Sequence, residues 1–207
     1  MLSRWLSKLF LISAISFSSA QADVAWEMDF KAGAFLPNLD SWSDYYGTSY
    51  AYSGASNVSV RVLKFFVLGA DLIYTRASGV GEYASNGQTG GEVSYELLPG
   101  NAYAGLQAQF AEGQWVVPYA GVSYGRSFYR QKIAFQSDVR GATNGYTLKA
   151  GMKLLLDKMD HSSAKLLKEG FGVQHSYWIV EYQKLVLTAG DVDIGGHYLF
   201  SGLALSF

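Results

Sequence analysis

The chain has 207 residues, a formal net charge of −1 and no cysteine. The lack of cysteine excludes a disulfide framework, thiolate metal sites and thiol nucleophiles. Charged residues of both signs are scattered along the chain, so no nucleic-acid partner is predicted. Aromatic residues make up 15% of the chain, with 23 glycines and three prolines, which is typical of tyrosine-rich strands joined by flexible loops.

The N-terminal segment has the features of a cleavable secretory signal. A stretch of nine apolar and small residues follows Arg4 and Lys8, and Ala20-Gln21-Ala22 forms an A-x-A cleavage site. The stretch is about half as long as a membrane-spanning helix requires. We therefore predict that residues 1–22 are a signal peptide, removed after export through the general secretory pathway. The predicted mature domain, residues 23–207, carries 14 basic and 17 acidic residues.

The first predicted strand alternates strictly between apolar and polar residues. Trp26, Met28, Phe30, Ala32 and Ala34 share one face, and Glu27, Asp29, Lys31 and Gly33 share the other. Successive side chains of a strand point to opposite faces, so one face is apolar and the other charged. A secreted β-sandwich would show the charged face to water, whereas a membrane barrel would turn it inward. The C-terminal Phe207 favours the barrel.

The same alternation predicts seven more strands. They cover Asn57–Val62, Val67–Thr75, Val93–Phe110, Val116–Tyr129, Tyr146–Leu154, His175–Gln183 and Tyr198–Phe207. A break at Pro99-Gly100 would give ten strands instead of eight. Eight strands place the short turns at one end and the long loops (38–56, 77–92, 131–145, 184–196) at the other, as outer-membrane barrels do. We therefore interpret Pro99-Gly100 as a bulge or kink within one tall strand.

One connection at the short-turn end is predicted to form a helix. Asp160 is placed to cap its N-terminus and Gly170 its C-terminus. Leu166, Leu167 and Phe171 supply an apolar patch. We expect this patch to pack against the rim and close the periplasmic mouth; a periplasmic partner site is the alternative.

Several segments carry a family resemblance. They are Ala34 to Asp40, Tyr45-Tyr46-Gly47, Val117 to Gly121, Leu154 to Asp160, Glu169-Gly170 and Glu181-Tyr182. Together they resemble an uncharacterised family of small outer-membrane β-barrel proteins found in delta-proteobacteria and related bacteria. The resemblance implies an all-β, eight-stranded antiparallel transmembrane barrel, without implying a biochemical role.

The terminal strand resembles the signal that the barrel-assembly machinery reads. Gly202, Leu205 and Phe207 stand in the matching places, while Phe200 departs from the polar residue with which the signal usually begins. The resemblance implies periplasmic chaperones and the assembly machinery as partners during biogenesis, and outer-membrane lipid afterwards.

Alternation also selects the charged residues expected inside the barrel. These are the carboxylates Glu27, Asp29, Asp71, Glu96 and Glu181 and the cations Lys31, Arg61, Lys149 and Lys153. An eight-stranded barrel is only wide enough for side chains to fill it or for one small ligand. We expect the charges to pair across a plugged lumen, because a buried unpaired charge is costly. A narrow porin-like channel is the alternative.

The sequence offers little for catalysis or metal binding. His175 and Ser176 are adjacent in a strand and are expected on opposite faces, which prevents a serine-histidine pair. Asp191 and Asp193 are spaced as in part of a calcium loop but lack its other ligands, so we interpret them as an acidic surface turn. No cofactor, metal site or enzyme activity is predicted; a lipid-modifying enzyme is the remaining alternative.

The first long loop is rich in aromatic residues. It contains Trp42, Tyr45, Tyr46, Tyr50 and Tyr52, which suit either girdle and rim packing or capture of an extracellular ligand. The sequence thus predicts a monomeric outer-membrane barrel with a structural or loop-mediated interaction role.

Overall fold

The computed structural model describes residues 25–62, 65–82, 89–111, 113–134 and 137–207. The predicted signal peptide lies outside the described residues. The strands are β1 (Ala25–Pro37), β2 (Ala51–Val62), β3 (Phe66–Glu82), β4 (Thr89–Gln107), β5 (Val116–Ile133), β6 (Val139–Leu155), β7 (His175–Val186), β8 (Thr188–Ala189), β9 (Val192–Asp193) and β10 (Gly196–Ser206). The helices are α1 (Trp42–Tyr46) and α2 (His161–Phe171).

Eight of these strands form a closed antiparallel barrel. Each pairs with its sequence neighbours, and β10 pairs with both β7 and β1, so the order around the barrel is β1-β10-β7-β6-β5-β4-β3-β2. The prediction of an eight-stranded barrel is confirmed. The short strands β8 and β9 form a separate hairpin in the last long connection.

The two ends of the chain's described part close the barrel. Glu27 pairs with Ser206, and the ladder continues to Pro37 opposite Gly196. The Phe207 N–H donates to the Trp26 carbonyl at 2.8 Å. Closure leaves no unpaired strand edge within the barrel wall, which is the condition for a sheet to lie in lipid.

The outer wall carries an apolar band between two aromatic girdles. Outward residues such as Phe30 and Leu203 are more than half exposed, which suits lipid rather than water. Three tryptophans mark the lower edge of the band (Trp26, Trp115, Trp178) and five tyrosines the upper edge (Tyr52, Tyr74, Tyr124, Tyr146, Tyr182). From Trp115, which directly precedes β5, to Tyr124, nine steps span roughly 23 Å at a tilt of about 40°, close to the height of about 25 Å expected for such a band.

The short turns and α2 lie at the tryptophan end, which we assign to the periplasm. Among the described residues, no helix is long and apolar enough to cross a bilayer. Asp160 caps α2 as predicted, accepting from the N–H groups of Ser162 and Ser163 at 3.0 Å. The helix ends at Gly172 (φ 74°), and not at Gly170 as predicted.

The expected packing of the helix against the rim is not observed. Leu166 and Phe171 are 69% and 75% exposed, and α2 has no buried residue. The prediction that this patch closes the mouth is therefore wrong for Leu166 and Phe171, while Leu167, the third residue of the patch, is half-buried. Closure of the lumen depends on other residues.

Four strands are much taller than the rest. Strands β3 to β6 have 17 to 19 residues, against 11 to 13 for β1, β2, β7 and β10. A membrane-spanning strand needs about 9 to 11. The predicted loops 77–92 and 131–145 were thus too long, because strands occupy most of both. One side of the barrel wall rises well above the tyrosine girdle.

Pro99 lies within one tall strand, β4, as predicted, but it does not form a bulge. The β4–β5 register is constant from Val93 opposite Ile133 to Gln107 opposite Tyr119. Pairing with β3 is interrupted opposite Pro99, which has no N–H to donate, and resumes in the same register. The register shift in this hairpin lies higher, between Val80 and Glu82.

Candidate functional site

The middle of the lumen contains a buried cluster of three charges. The Lys31 ammonium lies 2.7 Å from Glu181 Oε1 and 3.1 Å from Asp29 Oδ1. Tyr119 OH donates to Glu181 Oε2 and Gln183 Nε2 to Glu181 Oε1, both at 2.7 Å. The Lys31 and Glu181 side chains are each 2% exposed, so this cluster links β1, β5 and β7 across the interior.

A second buried ion pair lies beside this cluster, since Lys149 lines the same cavity as Lys31 and Glu181. Lys149 Nζ is 2.7 Å from Asp71 Oδ2, and Asn101 donates to Asp71 Oδ1 at 2.8 Å. The Lys149 ammonium also lies 3.9 Å from the centroid of the Tyr103 ring. Strands β3, β4 and β6 are thereby connected, and both charges have polar partners inside the barrel.

A third pair lies nearer the periplasmic mouth. Lys153 contacts the Glu27 carboxylate and donates to Gln107 Oε1 at 2.7 Å. Arg61, half-buried, donates to Gln109, which also accepts from Gln107 at 2.9 Å. Eight of the nine charged residues predicted inside the barrel therefore lie there.

The ninth, Glu96, lies on the outer wall, and its prediction is wrong. Its neighbours Tyr95 and Leu97 are the ones buried inside, and its carboxylate accepts from outward-facing Tyr74 at 3.2 Å. A bulge at Pro99 would have reversed the inward face above it, but the constant register preserves the alternation. Without Glu96, the identified interior charges are four carboxylates and four cations. The network is neutral.

The extracellular half of the lumen is filled by apolar and aromatic residues. Phe35, Ile73, Leu97 and Tyr198 are 0% exposed. The Tyr198 ring stacks on Phe200, with centroids 5.2 Å apart and planes 10° apart. We call the buried residues of this cluster the upper plug: Phe35, Trp42, Tyr46, Ala51, Ile73, Ala77, Val93, Tyr95, Leu97, Leu185, Leu187, Ile194, Tyr198 and Phe200. Phe200, which stands where the assembly signal usually has a polar residue, packs in this plug.

Helix α1 covers the plug from above. Trp42 and Tyr46 stack with centroids 4.1 Å apart, and Trp42 meets Tyr95 edge-on at 5.2 Å. Burial raises the pKa of Tyr46 to about 12. A Cβ added at Gly79 would lie 2.5 Å from Tyr46 Cα, so the helix rests directly on the β3 backbone.

The loop aromatics thus divide between two roles. Trp42 and Tyr46 form the buried face of α1, which we call the lid, as the rim-packing interpretation expected, whereas Tyr45, Tyr50 and Tyr52 are 43%, 39% and 73% exposed. Alternation could not identify the lid residues, since α1 is a single helical turn outside the strands. An i, i+4 aromatic pair ahead of Gly47 (φ 67°) was the available signal.

The remaining empty space in the lumen is small. Among the described residues, two cavities lie in the charged half, each with a volume of about 10 Å³. Each has room for about one water molecule and is far below the usual size of a ligand pocket, about 300 to 1,000 Å³. The upper plug separates them from the extracellular side. Within the described part of the chain, the arrangement favours a closed barrel.

His175 and Ser176 meet the same carboxylate at the periplasmic rim. Asp157 accepts from Ser176 Oγ at 2.7 Å and lies 2.8 Å from His175 Nδ1. Burial raises the pKa of Asp157, but the hydrogen bonds from Ser176 and His175 outweigh burial and hold it below its usual value. The Ser176 hydroxyl donates to Asp157 and not to His175, so the trio fastens β7 to the preceding connection.

In the acidic turn of Asp191 and Asp193, the Asp193 carboxylate is hydrogen-bonded to donors of the protein itself. Asp193 accepts from Asn38 Nδ2 at 2.9 Å and from the Gly195 N–H at 2.8 Å. Asp191 is exposed. No group of three or more potential ligands suited to a metal ion occurs among the described residues.

Comparison with solved structures agrees with the lipid-facing wall and the closed strand order. OprG of Pseudomonas aeruginosa aligns with a TM-score of 0.58 and 10% identity, over 90% of this chain and 96% of that one. The fold is that of a small outer-membrane β-barrel. Neisserial surface protein A aligns with a TM-score of 0.53 and 14% identity, over 89% of this chain and 97% of that one.

A third similar barrel is Ail of Yersinia pestis, solved in complex with the heparin analogue sucrose octasulfate. It aligns with a TM-score of 0.50 and 8% identity, over 90% of this chain and 99% of that one. No family model and no curated protein matches the chain. The outer-membrane barrel class is thus supported by structure, without a family assignment.

Proposed function

We propose that this barrel is a closed, non-conducting scaffold whose function lies on its extracellular surface. The observation that carries the proposal is the filling of the lumen at two levels. The neutral charge network occupies the lower half and the upper plug occupies the upper half. An ion crossing the barrel would have to separate buried ion pairs and then enter an apolar core, and both steps are costly.

The extracellular rim supplies the surface that such a scaffold would present. Tyr45 and Tyr50 are exposed beside the buried face of α1, and Asp40 and Asp44 lie in the same loop, both exposed. A rigid barrel holds such residues in place, so little conformational entropy is lost when they bind a partner. A role in attachment to an extracellular partner fits this arrangement. The proposal assigns no reaction to the protein.

Single-channel recording of the refolded mature protein tests the closed lumen. We expect a silent bilayer for the wild type, with folding confirmed by heat-modifiable migration. If openings occur, the variant Lys149→Glu tests whether the ions pass through the lumen, because the Lys149 side chain lies there. Stable wild-type openings whose ion selectivity reverses in this variant would establish a narrow pore and overturn the proposal.

A surface-binding assay tests the second half of the proposal. Cells that display the wild type are compared with cells that display Tyr45→Ala/Tyr50→Ala, on surfaces coated with an extracellular-matrix preparation. We expect the double variant to adhere less. The matched control is Trp178→Ala, which removes an exposed aromatic residue at the periplasmic girdle. Equal adhesion of all three would count against a role for this loop.

A further inference from the structure

The tall side of the barrel carries a row of charged residues on its outer face. Arg76 on β3 pairs in register with Glu96 on β4, Glu96 with Arg130 on β5, and Arg130 with Arg140 on β6. Cross-strand partners are about 5 Å apart, so three guanidinium groups and one carboxylate lie side by side. The row lies above the outward tyrosines Tyr74 and Tyr124.

Two further cations extend this row. Arg126 is the next outward residue above Tyr124, and its guanidinium carbon lies 5.9 Å from the centroid of the Phe128 ring. Phe128 is further from the membrane, so the Arg126 side chain leans toward the extracellular side, as long cations do at interfaces. Lys132 is exposed above Arg130. We call Arg76, Arg126, Arg130, Lys132 and Arg140 the basic wall.

The basic wall is only partly neutralised by neighbouring acids. Arg130 forms an ion pair with Asp138 at 2.6 Å, and Glu96 accepts a hydrogen bond from Tyr74. Among the described residues, Arg76, Arg126 and Arg140 form no ion pair within 4.0 Å. The wall keeps a local positive excess in a mature chain whose net charge is negative.

The lower edge of the wall, formed by Arg76 and Arg126, lies where lipid headgroups begin. Outward tyrosines mark the edge of the hydrocarbon layer, and Arg76 and Arg126 each follow one of them on its strand. Below Arg76 the outer surface is concave, with a floor of Ala32, Ala34 and Gly54. A Cβ added at Gly54 would have no neighbour nearer than 3.9 Å, so the concavity is open space and not close backbone packing.

We propose that the basic wall binds the phosphate groups of the phosphorylated glycolipid, lipid A, in the outer leaflet. Guanidinium groups bind phosphate through paired, charge-assisted hydrogen bonds. An acyl chain of the same lipid lies in the concavity beneath Arg76. The wall is on the outer face of the barrel, so this inference does not depend on whether the lumen conducts.

The test measures binding of lipid A to the refolded mature protein in neutral detergent micelles, by native mass spectrometry. Bisphosphorylated lipid A is compared with its dephosphorylated form. We expect the wild type to prefer the phosphorylated form, and Arg76→Gln/Arg126→Gln to bind it about tenfold or more weakly. Gly54→Leu fills the concavity and is expected to weaken binding of both forms. Heat-modifiable migration confirms that each variant is folded.

The matched control is Lys165→Gln/Lys168→Gln, which removes the same charge from α2 at the periplasmic end and is expected to bind like the wild type. Equal binding of the two lipid A forms by the wild type would overturn the proposal. So would equal binding of phosphorylated lipid A by the wild type and the double arginine variant. Binding of soluble sucrose octasulfate without binding of lipid A would identify a soluble polyanion as the partner instead, and would also overturn it.

Discussion

Replacement of Lys31 tests whether the interior charges act as a network. Lys31→Met keeps the length of the side chain but leaves both Asp29 and Glu181 without their cation. Removal of one member of a buried ion pair typically costs about 3–5 kcal/mol, because the remaining charge is uncompensated. We expect the free energy of unfolding to fall by about this amount.

Glu181→Gln should lower the free energy of unfolding by less than Lys31→Met does, although it breaks the Lys31–Glu181 ion pair, which is shorter than the Lys31–Asp29 pair. Lys31 would keep Asp29 as a partner, and the amide can still bond Tyr119. A loss of about 1–3 kcal/mol is expected for weakened hydrogen bonds to a buried group. Lys149→Met leaves only one carboxylate, Asp71, without its cation. It is therefore compared with Lys31→Met, which leaves two.

The assay is reversible guanidinium unfolding in lipid vesicles, followed by tryptophan fluorescence. Three variants and the wild type give the order of stabilities directly. A Lys31→Met variant within 1 kcal/mol of the wild type, or no less stable than Glu181→Gln, would refute the reasoning. In that case these carboxylates would have to take up a proton or be solvated by water, and they would not depend on Lys31 as the contacts indicate.

Three further predictions concern the lid, the rim and the terminal strand. Gly79→Ala should displace α1 and lower the free energy of unfolding by about 1–3 kcal/mol through overpacking, and the Trp42 amide should exchange hydrogen faster. Gly54→Ala is the control and should change neither quantity, because there is open space at its Cβ. Equal exchange in both variants would contradict the contact between Gly79 and α1. The pKa of Asp157 is lowered in the folded state, so its contribution to stability is present above about pH 4 and is lost as the pH falls through the folded-state pKa. In acid unfolding curves Asp157→Asn should therefore show a smaller loss of stability than the wild type; identical curves would argue against this. Deletion of Phe207 should reduce outer-membrane levels of heat-modifiable protein, and unchanged levels would contradict its place in the assembly signal.

Period-two alternation was enough to predict the barrel and eight of its interior charges, but the lumen was expected to be plugged by polar side chains, and the apolar upper plug was not predicted. In a strand, the face of a side chain depends only on its position along the chain, so Lys31, Lys149 and Glu181 could be placed inside from local pattern. Glu96 was misplaced because its parity depended on the register across Pro99. That register is set by hydrogen bonds to β5, which the local sequence does not specify.

The sequence by itself determined the strand count, the lipid-facing side and eight of the nine charges assigned to the interior, because each follows from short-range geometry and hydropathy. Only the closed tertiary structure decided which charges meet. Lys149 and Asp71 are 78 residues apart in the chain, and Lys31 and Glu181 are 150 apart. Such pairs depend on how strands are ordered and tilted around the cylinder. The lid was decided in the same way, since α1 is held by the β3 backbone at Gly79 and by Tyr95 on β4, neither of which its own five residues can specify.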